Sequence, residues 1–338
     1  MATEILPLIP GAVRLDDVQQ DLLRLLQATP AHLSGEQLGA RLGLSRTAVW
    51  KRIERLRALG YQVDGSPRRG YRLTPGQDLL FPAEISAALP LTWLQGPVYH
   101  FVSLPSTNDT AKELARQGAP EGTLVLAETQ SAGRGRLGRT WESPPGTGLY
   151  LSLLLRPPLP PVELPRLTLL AAVAVVEAIQ AATGLRTGIK WPNDIIFQGK
   201  KLGGILTEME TESDAMRHVV LGVGLNLNTP AFPEHLREIA TSLAVTGRTY
   251  SRLATLRAFL TAMDRLYGRF LNQEFPAILD RWRQLSVTLG KTVTIRRGAD
   301  VHTGLALDVA LDGALLLARP DGSVERILSG EIQQASCS

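Results

Sequence analysis

Between Gln130 and Trp141 the chain reads Gln-Ser-Ala-Gly-Arg-Gly-Arg-Leu-Gly-Arg-Thr-Trp, a glycine-arginine loop that ends in an aromatic ring. Glycines let a backbone come close to a ligand and adopt positive φ. Arginines offer planar, permanently charged donors suited to carboxylate or phosphate oxygens. Apolar runs flank the loop (Thr123 to Leu126 and Leu149 to Leu155), so both of its ends read as anchored in strands. An isolated run of this kind would read equally well as a solvated basic loop; its neighbours along the chain decide otherwise. Ser106-Thr107-Asn108 stands at a strand-to-helix junction, either as a simple helix cap on Ser106 or as three small hydrogen-bonding groups for an amide-like ligand. Lys190-Trp191-Pro192-Asn193-Asp194 joins a compact point charge, a large aromatic and a proline that fixes the turn. Lys201 to Leu206 and Gly222 to Asn228 place glycines beside buried strands, a pattern that often marks close backbone approach to a ligand. The Gly-x-Gly lacks the strand-loop-helix setting of a dinucleotide fold.

The elements that must hold these groups alternate. From about 98 to 283, apolar β-type runs (Tyr99–Val102, Thr123–Ala127, Leu149–Leu155, Ile195–Phe197, Ile205–Glu210, His218–Val223) intersperse with helical patterns near Thr107–Gly118 and Pro165–Ala182. A further helical stretch spans Ser251 to Trp282. That order predicts an α+β domain around a mixed sheet. From Val287 to Ile332 short alternating strands and an Asp312-Gly313 hairpin turn predict a small separate β-barrel.

The N-terminal part differs in kind. Val18, Leu22, Leu25 and Leu26 form one helical face. Ser34 with Gln37 has capping-box spacing before a helix over 35–42, and Ser45 caps another over 46–59. Two short helices around Gly43, followed by strands at Tyr61–Asp64 and Gly70–Leu73, predict a winged helix-turn-helix. Its second helix should bury Ala48, Val49, Ile53 and Leu56, and leave Arg46, Thr47, Trp50, Lys51 and Arg55 outward, where recognition helices meet base edges. Arg68 and Arg69 at the wing tip would meet phosphate. Residues 1–75 hold 11 basic and 7 acidic side chains, a net +4 that equals the whole chain's. This asymmetry points to a nucleic-acid partner for that part alone.

At 338 residues the chain is long enough for two or three domains, expected at 15–75, 98–283 and 286–335. The single cysteine, Cys337, excludes an intramolecular disulfide and cysteine-based zinc or iron-sulfur sites, which fits a reducing cytoplasm. No secretory signal is evident, and the longest apolar run, Leu169 to Val176, is far short of a membrane span.

Taken together, these residues resemble the bifunctional biotin protein ligases that also act as biotin operon repressors, over essentially the full length. The resemblance is carried by Gly35–Gly39, Leu42-Gly43 and Ser45–Lys51, by Ser106–Asn108, Gly133–Arg139, Lys190–Asp194, Lys201–Leu206 and Gly222–Asn228, and by Gly313–Leu317 with Ser329–Ile332. One departure is Leu137, where the best-known members carry a further arginine. The resemblance implies a winged helix, a central domain of class II synthetase/ligase type and a C-terminal SH3-like barrel. It implies attack of biotin's carboxylate on the α-phosphate of ATP, then transfer to a lysine of a biotin carboxyl carrier protein, an acetyl-CoA carboxylase subunit. Ser106, Thr107, Asn108, Gln130, Arg134, Gly135, Arg136 and Lys190 would hold biotin, and Lys190, Arg134 and Arg136 would carry the chemistry. Trp141, Asn193 and Asn226 would face the nucleotide. Mg²⁺ would shield the triphosphate, with Asp194 a candidate contact and no protein metal site expected. Operator DNA, a homodimer, no membrane and a cytoplasmic setting complete the expectation. Three rivals remain: a ligase whose winged helix no longer regulates, a lipoate-type ligase, and a non-catalytic biotin-sensing transcription regulator.

Overall fold

The computed structural model describes residues 12–13, 15–66, 69–74, 78–86, 89–212 and 215–333. Two compact units emerge, one of Ala12–Ala87 and one formed by the chain from Ala88 onward. Arg68 and Cys337 lie outside the described residues.

In the first unit the two-residue strand β1 (Ala12–Val13) precedes α1 (Asp17–Ala28). Asp16 caps α1, its carboxylate accepting the Gln19 amide at 2.8 Å. The face that α1 buries is Leu22, Leu23 and Leu26; Val18 and Leu25, expected inside, are only half-buried. The capping box of α2 (Gly35–Leu42) is complete: Ser34 Oγ accepts from the Gln37 amide at 3.1 Å, and Gln37 Oε1 from the Ser34 amide at 2.8 Å. Gly43 ends the helix in the left-handed region at φ +66°, which lacks strain only without a Cβ. Ser45 caps α3 (Arg46–Ala58), which buries Val49, Ile53 and Leu56 while Ala48 stays half-buried. Each such aliphatic side chain contributes about 1.5–3 kcal/mol on burial. The antiparallel wing, β2 (Val63–Ser66) and β3 (Gly70–Leu73), starts two residues later than the sequence suggested. Arg57 on α3 ties it down by donating twice to the Val63 carbonyl, at 3.0 and 2.6 Å. A short helix, α4 (Pro82–Ser86), follows.

In the second unit come β4 (Val98–Leu104), α5 (Thr107–Arg116), β5 (Leu124–Gln130), β6 (Gly148–Leu155), α6 (Leu164–Thr183), β7 (Gly188–Lys190), β8 (Asp194–Phe197), β9 (Lys200–Glu212) and β10 (Ala215–Asn226). Their sheet runs β4-β5-β6-β10-β9-β8-β7, parallel at β4/β5 and antiparallel elsewhere. Every residue of β6 is buried, as expected of a central strand covered on both faces. Leu169 to Val176 is the buried stretch of α6. The single helix read over Ser251–Trp282 is in fact two, α7 (Arg252–Leu271) and α8 (Phe275–Leu285). They are separated at Gln273, whose φ of +63° cannot continue a helix.

Five antiparallel strands close the chain in the order β14-β13-β12-β11-β15: β11 (Thr292–Arg297), β12 (Asp300–Val309), β13 (Leu315–Ala318), β14 (Val324–Ile327) and β15 (Glu331–Gln333). The last two were not anticipated, because three or four residues carrying charges show little alternation.

Candidate active site

The junction of β4 and α5 builds the first wall. Ser106 occupies the N-cap position but its side chain makes no capping bond, so the simple cap reading fails; it is 2 % exposed. Gln130, at the end of β5, caps the helix instead, its Oε1 accepting from the Thr107 amide at 2.8 Å and the Thr107 hydroxyl at 3.2 Å. Ser152 on β6 contacts Thr107 Oγ1 at 2.8 Å and Asn108 Oδ1 at 2.5 Å. Asn108 Nδ2 donates to Glu208 at 2.7 Å.

The glycine-arginine loop folds back on itself, with the Gly135 amide donating to Arg139 O at 2.7 Å and the Trp141 amide to Gly133 O at 2.9 Å. Its three arginines diverge. Arg134 pairs with Asp109 and, at 3.3 Å, with Glu208. Arg136 donates to Asn193 Oδ1 at 2.9 Å. Arg139 pairs with Glu331 of β15. Leu137 stands at the tip, exposed, with φ +56°. Trp141 packs against β10 at Gly224.

The turn between β7 and β8 supplies the third wall. Trp191 is fully buried, its amide donating to Thr288 Oγ1 at 2.9 Å and its indole N–H to Gly313 O at 3.1 Å. Asn193 is held by donation to Ile205 O at 2.8 Å. Asp194 pairs with Lys201 at 2.6 Å, and the Lys201 ammonium stands 5.8 Å from the Trp141 ring centre. Lys190 is half-buried. Burial is the main cause that pushes its ammonium below the usual lysine range; Asp194 and Glu331 oppose this, while Lys201 and Arg139 add to it. Burial lowers Arg136 in the same way, against Asp194 and Glu331.

All three walls face one cavity of about 200 Å³. Ser106, Thr107, Asn108, Gln130, Arg134, Gly135, Arg136, Trp141, Lys190, Asn193 and Asn226 line it, every small-molecule residue expected from the sequence. The cations of two separate turns therefore share one space. The glycines of β10 border the cavity and also make room for two of its side chains. A Cβ on Gly222 would sit 2.3 Å from Asn108 Oδ1, and one on Gly224 2.5 Å from Trp141 Cε2. Their absence of side chains seats Asn108 and Trp141 on the strand. Lys201 and Glu331 also line the cavity, with Phe232, Leu236 and Ile239. Lys201 sits inside a motif that was read for its glycines, and no local signal marks Glu331, which arrives from the C-terminal sheet.

On the first unit, Arg46, Thr47, Trp50, Lys51, Arg55 and Arg69 are exposed on α3 and the wing. Several cations of this unit are paired: Arg52 with Asp16 at 2.7 Å, Arg55 with the same Asp16 at 3.5 Å, Arg57 with Glu54 at 2.7 Å and Arg72 with Asp64 at 2.9 Å.

Residues 100–226 match the biotin/lipoate A/B protein ligase family, residues 18–72 an HTH domain, and residues 288–333 the biotin protein ligase C terminal domain. The bifunctional ligase/repressor BirA of Bacillus subtilis (strain 168) is 42% identical over 321 residues, spanning 94% of this chain and 98% of the relative. This chain is a bifunctional biotin protein ligase by family. The ligase is also 34% identical to the bifunctional ligase/repressor BirA of Escherichia coli (strain K12), over 93% of its own length and 96% of the relative's. Among solved structures, the ligase resembles the biotin protein ligase from Aquifex aeolicus in complex with biotin and ATP, at 31% identity and a TM-score of 0.60. That match covers 70% of this chain and 97% of the other.

Proposed function

We propose that the chain activates biotin to biotinyl-5′-AMP and transfers it to a lysine of a biotin carboxyl carrier protein. In the first step a carboxylate oxygen of biotin bonds to the α-phosphorus of ATP as the bond to pyrophosphate breaks. In the second the carrier's amine attacks the acyl carbon, AMP leaves, and the amine's surplus proton passes to solvent. Two anions must meet in step one, so positioning and charge neutralisation are what the protein has to supply. The observation that carries this reading is the convergence of Arg136 from one turn and Lys190 from another on a single cavity.

Within that cavity we assign Ser106, Thr107, Asn108 and Gln130 to biotin's polar ends. Arg134, with the Gly135 backbone, and Arg136 take the carboxylate and α-phosphate, and Lys190 the charge at the reacting centre. Trp141 covers the adenylate, while Asn226 and Asn193 border the nucleotide. Asn193 also holds Arg136, and Lys201 brings a second ammonium beside Trp141. Among the described residues no cluster of three or more His, Cys, Asp or Glu side chains could hold a metal. Asp194 is already paired with Lys201. We infer that Mg²⁺ would be held through triphosphate oxygens and water and would shield the charge that the carboxylate meets.

The winged unit, we propose, binds operator DNA through Arg46, Thr47, Trp50, Lys51, Arg55 and the wing arginines, as a homodimer in the cytoplasm. Domain limits of 15–75, 98–283 and 286–335 accompany this reading. No helix among the described residues is long and apolar enough to cross a membrane. Incubation with ATP, Mg²⁺, biotin and a carrier domain, followed by intact mass of the carrier, tests the ligase reading. A carrier mass raised by one biotinyl group is expected. An unchanged mass refutes it, and a lipoyl increment when both acids compete transfers the assignment to the lipoate branch.

A further inference from the structure

Glu208, in the middle of β9, reaches the ligand wall without lining the cavity. Its carboxylate accepts from Asn108 Nδ2 at 2.7 Å and from Lys112 at 2.5 Å, and faces Arg134 at 3.3 Å. A carboxylate can only accept, so Asn108 must turn its nitrogen toward Glu208 and its oxygen away. The Leu206 carbonyl, 3.4 Å from the same nitrogen, demands the same orientation. Asn108 Oδ1 then accepts from Ser152 Oγ at 2.5 Å, which uses the single proton of that hydroxyl. At 2.8 Å from Thr107 Oγ1, Ser152 can therefore only accept there. The Thr107 proton is thus directed to Ser152 or to Gln130 Oε1, so toward any further partner Thr107 Oγ1 can only accept.

We propose that Glu208 is a positioning residue that, through Asn108 and the buried Ser152, fixes the cavity-lining Asn108 and Thr107 as acceptors, selecting a ligand that presents N–H donors. This rests on the biotin reading, since a cyclic urea carries two such groups. Three features support it. Asn108 is 4 % exposed and Thr107 also 4 %, so water cannot reorient them freely. Gly222, lacking a Cβ, leaves open the space that the Asn108 amide occupies. Burial would raise the Glu208 pKa, but the bonds from Asn108 and Lys112, with the charges of Lys112 and Arg134, hold it below the ordinary carboxylate range. It is therefore an anion throughout the neutral range.

The test compares wild type, Glu208→Leu, Glu208→Gln and the double variant Glu208→Leu/Lys112→Met in biotin-dependent ATP–pyrophosphate exchange. The double variant removes the ammonium that Leu would leave without a partner. Each enzyme is assayed with biotin and with a biotin whose urea nitrogen is methylated, and its thermal midpoint is recorded. Loss of a charge-assisted bond corresponds to roughly a tenfold effect. Glu208→Leu and the double variant should raise the biotin KM about tenfold with kcat little changed, and should lower the preference for biotin over the methylated acid. Glu208→Gln keeps an acceptor for Asn108 and should retain most of that preference. A merely structural role would weaken both acids equally and follow the thermal midpoint. Preference unchanged in both Leu variants, or lost equally in Glu208→Gln, overturns the proposal. Wild type inactive in exchange overturns the ligase reading instead.

Discussion

Replacing Gly224 with alanine puts the seating of Trp141 to a quantitative test. The new methyl would lie 2.5 Å from Trp141 Cε2 and 2.7 Å from its Nε1, so the ring must retreat by roughly 1 Å to reach ordinary contact. The strand cannot yield in its place, because β10 is laddered to β6 on one side and β9 on the other. Overpacking of this kind costs about 1–3 kcal/mol. If the displaced ring covers the adenylate, that cost appears as a KM for ATP raised about 5- to 150-fold. The partner experiment is Gly222→Ala, two residues along the same strand. Its methyl would meet Asn108 Oδ1 at 2.3 Å, and Asn108 is itself held by Ser152 and Glu208. Here the KM for biotin should rise by a similar factor and that for ATP should change little. Both variants should lose a few degrees of thermal stability, roughly 2–4 °C per kcal/mol for a unit of this size. Steady-state pyrophosphate exchange, with each substrate varied in turn, reads both constants. If Gly224→Ala raises the biotin KM as much as the ATP KM, or Gly222→Ala leaves both unchanged, the division of the cavity is wrong.

Lys190 should impose an alkaline limit on adenylation. Its ammonium is present below its pKa and lost as pH rises through it, and burial brings that point down from the ordinary lysine range. Lys190→Arg should move the alkaline limb of the pH–rate profile upward with a reduced plateau; an active variant with the wild-type limb would remove Lys190 from the role. On the winged unit, Lys51→Ala should lower the slope of log affinity for DNA against log salt by roughly 0.9. Arg52→Ala should leave the slope unchanged, since Asp16 already holds that guanidinium at 2.7 Å. Equal slopes for the two variants would contradict the distinction between exposed Lys51 and the paired Arg52.

Local patterns made the helix-turn-helix legible. Ser34, Gln37, Gly43 and Ser45 form caps within a few residues of themselves, and such bonds depend on spacing alone. Where packing chose the buried face, the reading slipped. Leu23 went inside in place of Val18 and Leu25, because two leucines in succession leave the helical period ambiguous. Gln273 carries no residue-type signal for the left-handed backbone that splits α7 from α8.

The composition of the two cationic turns, with their glycines and tryptophans, was written in the chain and named the chemistry they suit. Their meeting was not. Arg136 and Asn193 are 57 positions apart, and Asn108 and Glu208 are 100 apart. Only the ladder of β6, β10 and β9 brings them within a hydrogen bond, because distances between strands are set by pairing and register rather than by sequence separation. The same register decided that the glycines of β10 seat an amide and an indole, while the packing of a second sheet, to which β15 belongs, brings Glu331 to an arginine of the loop.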